Sequence, residues 1–233
     1  MKKLIKISPL HKAIFLKRLN KFLGIAKING VEEKIHIHDP GRLSELLFSG
    51  NQILIKEENK PHRKTKYDLI AALKNNNFVL IHSGYHRKIA EEIFRKKLIP
   101  ELSEFTQLQA EVKYKNSRID FKLSNSKREL WIEVKGCTLT KNGKALFPDA
   151  PTKRGTRHLK ELIELKNSAI IILIFRQDSK CFMPNIETDK EFTKTFIELY
   201  KSKIKIFPIL LSFKGEDIYF NKIIPLCEEI NAI

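Results

Sequence analysis

Three residues near the middle of the chain have the types and spacing for metal-assisted phosphoryl chemistry. Asp120 stands in Ser117-Arg118-Ile119-Asp120-Phe121, and Glu133 and Lys135 stand in Leu130-Trp131-Ile132-Glu133-Val134-Lys135-Gly136. Both segments alternate as strands do, so Glu133 and Lys135 share one face while Ile132 and Val134 take the other. If the strands pair as a hairpin, Asp120 reaches Glu133. Two converging carboxylates are hard oxygen ligands of the kind Mg²⁺ or Mn²⁺ requires, with water positions left for a phosphate. Lys135 then supplies a fixed positive charge for a charge-developing transition state. The same spacing on a solvated strand would be a surface ion pair of little consequence. The apolar neighbours and the polar loop that follows favour the site.

Elements must hold these residues in place, and the chain divides by rhythm near residue 84. Residues 1–84 read as short strands: Ala13 to Phe15, Phe22 onward with Gly24 as a bulge, Ile35 and Ile37, Ile53 and Ile55, Tyr67 to Leu73 and Phe78 to Ile81. Asp39-Pro40-Gly41 marks a turn, and Arg42 to Phe48 reads as a short amphipathic helix. This pattern predicts an OB-like β-barrel. Residues 85–233 read as a basic helix (Ile89, Ile93, Phe94, Leu98), three strands up to Lys135, and a loop from Gly136 to Pro151. A helix over 152–165, a buried strand over 169–175, a helix over 190–200 and a strand over 203–212 follow. That order predicts an α/β unit with a mixed sheet.

Charge points to the partner. The chain of 233 residues carries 44 Lys and Arg against 27 Asp and Glu, a formal net charge of +17. A polyanion is the natural counterpart, although a Lys-rich genome would leave a similar imprint. Arg42, Arg63 and Lys64 in the first part are candidate phosphate contacts. So are Arg154, Arg157 and His158, whose positive charge at a helix start is relieved by an anion. His36, His38 and Asp39 are read as surface and turn residues rather than as a metal cluster. Cys137, Cys181 and Cys227 are odd in number and share no C-x-x-C spacing, which argues against a disulfide framework or a structural zinc site and fits a reducing, cytoplasmic setting. The longest apolar run, Ala169 to Phe175, is too short to cross a membrane.

The chain also resembles the sugar fermentation stimulation protein A (SfsA) family along its length. The resemblance rests on Arg18-Leu19-Asn20-Lys21-Phe22, Asp39-Pro40-Gly41-Arg42-Leu43, Arg63-Lys64-Thr65, Ser117 to Phe121, Glu133-Val134-Lys135-Gly136, Phe147-Pro148-Asp149-Ala150, and Thr152 and Arg154-Gly155 with His158-Leu159 and Glu161-Leu162. It implies an N-terminal OB-like domain (1–84) and a PD-(D/E)XK restriction-endonuclease-like α/β domain (85–233). It implies DNA binding without strong sequence preference, a link to sugar metabolism, and a nuclease signature at Asp120, Glu133 and Lys135. Glu92 and Gln177 would join that catalytic set, and Arg18 and Lys21 the nucleic-acid contacts. Asp178 departs from the family pattern, which usually has a basic residue there. The resulting expectation is a Mg²⁺- or Mn²⁺-dependent DNA nuclease, with RNA left open as a substrate and a homodimer compatible with the sequence. The rival is a DNA-binding regulator on a catalytically silent nuclease scaffold. Replacing either Asp120 or Glu133 is expected to leave the fold intact.

Overall fold

A computed structural model describes residues 1–58 and 61–232. Five strands close the predicted barrel: β2 (His11–Asn20), β3 (Leu23–Ile28), β4 (Val31–Ile37), β5 (Gln52–Glu57) and β6 (Tyr67–Lys74). They run β4-β3-β2-β5-β6, and β4 returns to pair in parallel with β6, Ile35 opposite Tyr67 and Ile37 opposite Leu69. Alternation builds the core, because Phe15, Ala26, Ile35, Ile37, Ile53, Ile55 and Leu69 all point inward and are buried.

The second unit is a mixed sheet. Strands β8 (Gln107–Tyr114), β9 (Ser117–Ser124), β10 (Glu129–Cys137), β13 (Ser168–Ile174) and β15 (Lys205–Lys214) lie in the order β15-β13-β10-β9-β8. The pairs β10–β13 and β13–β15 are parallel, while β8–β9 and β9–β10 are antiparallel. Every residue of β13 is buried, as a central parallel strand covered on both faces requires. One face packs against α1 (His86–Arg95). The other packs against α2 (Lys153–Leu165) and α3 (Lys190–Lys201). Strand β7 (Asn77–Leu80) continues from β6 and meets β15 at Phe78 and Phe213, so barrel and sheet join edge to edge. The first strand, β1 (Lys2–Lys6), does not belong to the barrel. It pairs with β16 (Asp217–Ile223) beside β15.

Three expectations are corrected. Residues 42–48 form no helix. Leu43 has φ +52° and its carbonyl accepts the N–H groups of Leu46 and Leu47, giving a single turn that buries Leu43 and Leu46. The carbonyls of Gly41 and Arg42, which a helix would use, are taken by the Arg18 guanidinium. The stretch after Gly136 is not all loop, since β11 (Leu139–Lys141) and β12 (Lys144–Phe147) pair there and β14 (Cys181–Pro184) adds a third strand.

The cysteines, finally, do not stay apart: Cys181 and Cys227 form a disulfide between β14 and the tail. Cys137 alone is free, and burial raises its thiol to about 12. The cysteine argument for a reducing compartment therefore does not hold. Reduction, or Cys181→Ser with Cys227→Ser, should lower stability by roughly 2 kcal/mol. That is the low end for such a loop, because the tail is also tied to β14 by backbone bonds of Phe182 with Pro225 and Cys227. A melt with and without reductant should show a fall of about 5 °C. Among the described residues, no helix is long and apolar enough to cross a membrane.

Candidate active site

Strand register delivers Asp120 to Glu133. Ile132 on β10 faces Phe121 on β9, which places the next residue of β10 against the preceding residue of β9. Ile132, Val134, Phe121 and Leu123 enter the α1-side core, so Asp120, Glu133 and Lys135 stand on the α2 side. The Asp120 Oδ2 accepts the Val134 N–H at 2.7 Å, locking the carboxylate across the strand gap.

Glu133 is 1% exposed. One of its oxygens, Oε1, meets both Lys135 Nζ and His158 Nδ1 in close hydrogen bonds. The Arg154 Nε donates to His158 Nε2 at 3.4 Å, which assigns Nδ1 as the donor to Glu133. Helix α2 sets this contact. Thr152 caps it by accepting the Gly155 N–H, Thr152 N–H is held by Asp189, and the buried face carries Leu159 and Leu162 beside His158. One turn on, Glu161 accepts the Ser117 hydroxyl at 2.6 Å. The other Glu133 oxygen, Oε2, is buried with no hydrogen-bond partner.

The two acids are driven apart electrostatically. Burial and the neighbouring Glu133 charge raise Asp120 to about 6, against the pull of Lys135 and the Val134 N–H. Burial would raise Glu133 as well, but Lys135 and His158 outweigh it and hold that carboxyl down at about 2. A pair of acids separated in this way, one ionised and one near its titration point at neutral pH, is characteristic of functional sites.

Other expected residues lie elsewhere. Glu92 pairs with Arg95 and Lys96 on α1, on the opposite side of the sheet, and does not reach the acids. Gln177 donates to Asn77 at the start of β7, well past the level of Glu133 on the neighbouring strand. His158 is 2% exposed and holds Glu133, so it is not open to a phosphate. Arg18 is spent on main chain: its guanidinium donates to the carbonyls of Asn20, Lys21, Asp39, Gly41 and Arg42. It is a clamp for the turn at 39–42. Arg63 is committed to Asp68 and the Thr65 carbonyl. Lys21, Arg42, Lys64, Arg154 and Arg157 remain exposed. Arg154 stands beside the site through His158, and Arg157 lies 3.9 Å from Glu161.

Sequence reading missed the histidine at the domain junction. His86, first in α1, stacks on Phe175 and approaches Gly136 so closely that a Cβ there would sit 2.1 Å from its ring. Burial, with His82 and Lys135 nearby, lowers His86 to about 3. No local pattern announces such an approach, although glycine immediately after E-x-K is the trace it leaves. His36 Nδ1 meets the Phe22 carbonyl, and the His38 ring lies 4.1 Å from that of His82. Among the described residues, no group of three or more His, Cys, Asp or Glu is arranged to hold a metal ion. Asp120 and Glu133 are a two-carboxylate set.

A closed OB barrel joined to a mixed-sheet α/β unit with a buried D…E-x-K constellation defines a two-domain protein of restriction-endonuclease-like architecture. The model described as the SfsA N-terminal OB domain matches residues 16–81, and the sugar fermentation stimulation protein RE domain matches residues 84–217. The chain belongs to the sugar fermentation stimulation protein (SfsA) family. It is 50% identical to the sugar fermentation stimulation protein homolog of Thermosipho melanesiensis, covering 97% of this chain and 98% of that one. It is 40% identical to the homolog of Methanococcoides burtonii over 95% and 94%. The solved structure of Pyrococcus furiosus SfsA in complex with Ca²⁺ superposes with a TM-score of 0.91 at 28% identity, covering 97% of this chain and all of that one.

Proposed function

We propose that the protein is a divalent-metal-dependent DNA nuclease of low sequence preference. The observation that carries this reading is the Glu133 carboxylate: held ionised by Lys135 and His158, its second oxygen buried and unpartnered, and its charge felt by Asp120 across the strand pair. A buried ionised oxygen without a partner is costly, and a cation bound between the two acids would relieve that cost. Asp120 and Glu133 fit Mg²⁺ or Mn²⁺, which take one or two carboxylates and fill the other positions with water and phosphate. The Ca²⁺ complex of Pyrococcus furiosus SfsA supports a divalent cation in this architecture. When bound, such an ion supplies Lewis-acid polarisation of the phosphate.

The chain's own groups do the rest. Asp120 and Glu133, both on strands of the central sheet, would hold the cation. His158 orients Glu133 and keeps it ionised. Lys135, 15% exposed at the side chain, is placed to stabilise negative charge developing on the phosphoryl oxygens. Lys21, Arg42 and Lys64 offer exposed cations on the barrel for the backbone. The regulator reading draws on Glu92 and Gln177, which stand away from the acids and leave the site with a reduced set of residues.

Cleavage of supercoiled and linear DNA with Mg²⁺ or Mn²⁺, compared between identically purified wild type and Lys135→Ala, decides between the two. Binding to unrelated duplexes should be of similar affinity and fall steeply with salt. Arg42→Ala with Lys64→Ala should reduce the log–log salt slope by about 2, near one for each phosphate that is no longer neutralised. An unchanged slope removes these residues from the interface.

A further inference from the structure

Beside the barrel lies a groove of about 600 Å³ lined by Asn20, Phe22, Lys34, His36, Arg63 and Lys64. Its aromatic floor is unusual. Phe22 is 53% exposed, yet its backbone is tied on both sides: its N–H donates to Asn20 Oδ1 at 2.9 Å, and its carbonyl accepts the Ile37 N–H at 2.9 Å and meets His36 Nδ1 at 3.0 Å. A large apolar ring is thus held toward solvent on a rigid mount. Lys34 and Lys64 are exposed and, among the described residues, in no ion pair, whereas Arg63 is neutralised by Asp68.

A second cleft adjoins the same turn of the barrel. Asn20 and Phe22 line the groove, while the residue between them, Lys21, lines this cleft of about 290 Å³, which includes Gly136 and Thr138. Gly136 directly follows Lys135 on β10. Lys21, which is exposed, thus lines one hollow while its two neighbours, Asn20 and Phe22, line the other.

We infer that this groove binds single-stranded DNA, with a base stacked on Phe22 and phosphates on Lys34 and Lys64. A π-face with flanking unpaired cations is what an unpaired strand recognises. A duplex buries its base faces and could use only the cations. The inference rests on the nucleic-acid reading above and adds the strand form that the barrel selects.

The test uses the full-length protein in EDTA, so that cleavage plays no part. Affinity for a 15-nucleotide oligo(dT) is compared with that for a duplex of equal length by fluorescence anisotropy. Oligo(dT) should bind more tightly, and Phe22→Ala should weaken it by roughly 10- to 100-fold without changing the salt slope or duplex affinity. Phe22→Trp should restore binding, with the new indole quenched on adding oligo(dT). An oligo carrying 2-aminopurine should be quenched by wild type and not by Phe22→Ala. Equal affinity of wild type and Phe22→Ala for oligo(dT), or equal loss for oligo(dT) and duplex, overturns the groove while leaving the nuclease reading intact. Absence of binding to either form by wild type overturns both.

Discussion

Lys135→Ala is expected to lose metal-dependent DNA cleavage by a factor on the order of 10² or more while still binding DNA and metal. The expectation follows from the separate roles of charge around Glu133. Lys135 is not a ligand, and its removal takes one positive charge from the acid pair, so cation affinity should hold or rise. His158 remains to orient Glu133 and keep it ionised. The barrel cations lie in another unit, so DNA affinity and its salt dependence should be little changed. What disappears is a fixed charge against the phosphate at the moment negative charge builds, an interaction made mainly in the transition state. Lys135→Arg tests geometry rather than charge, since the planar guanidinium cannot occupy the position of the ammonium. Trace contaminating nucleases would give equal rates in wild type and mutant. Equal rates would show that the activity does not come from this site and would favour the regulator.

The sequence revealed those parts of the site that local rules determine. Alternation of Ile119, Asp120, Phe121 and of Ile132, Glu133, Val134, Lys135 is a two-residue repeat, and one hairpin register suffices to bring the acids together. The barrel was legible for the same reason, through inward residues such as Ile35, Ile37, Ile53 and Ile55. The cations were not legible in the same way. A guanidinium in a sequence does not disclose whether its donors meet a phosphate or carbonyls: Arg18 closes on the carbonyls of Gly41 and Arg42, 23 and 24 residues away. His158 is 25 residues from Glu133, and Cys181 is 46 from Cys227, separations no periodicity encodes. Glu92 was assigned by resemblance to a helix that covers the sheet face opposite the acids. The turn at 42–48 carried a helical pattern, but its carbonyls were already claimed by Arg18, an instance of tertiary structure overriding propensity.

The two acids, expected from the sequence to behave alike, should respond in opposite directions to neutralisation. Asp120 has its carboxyl raised from 3.8 to about 6. The native state therefore holds the proton more tightly than the unfolded chain. Stability without metal should fall as pH rises from about 4 to 6, and the ionised form at neutral pH should cost roughly 3 kcal/mol before solvent relaxation. Asp120→Asn removes that cost, so the metal-free mutant should melt several degrees above wild type at pH 8 and level with it at pH 4. Glu133 runs the other way. Its carboxyl is lowered from 4.5 to about 2, so its contribution is complete above 4.5 and is lost as pH falls toward 2. Glu133→Gln strips the counter-charge from Lys135 and places an amide against the Nδ1–H of the buried His158. A loss on the order of 3 kcal/mol at neutral pH is expected, shrinking in acid. Both mutants should lose the stabilisation that Mg²⁺ or Mn²⁺ gives wild type, because each removes one of the two carboxylates. Thermal melts at pH 4, 6 and 8, with EDTA or divalent cation, read all of this at once. Stabilisation by Glu133→Gln at pH 8 in EDTA would show that Glu133 is not held by Lys135 and His158, and destabilisation by Asp120→Asn would show that the Asp120 charge is not costly. Metal stabilisation surviving in both mutants would place the cation away from this pair.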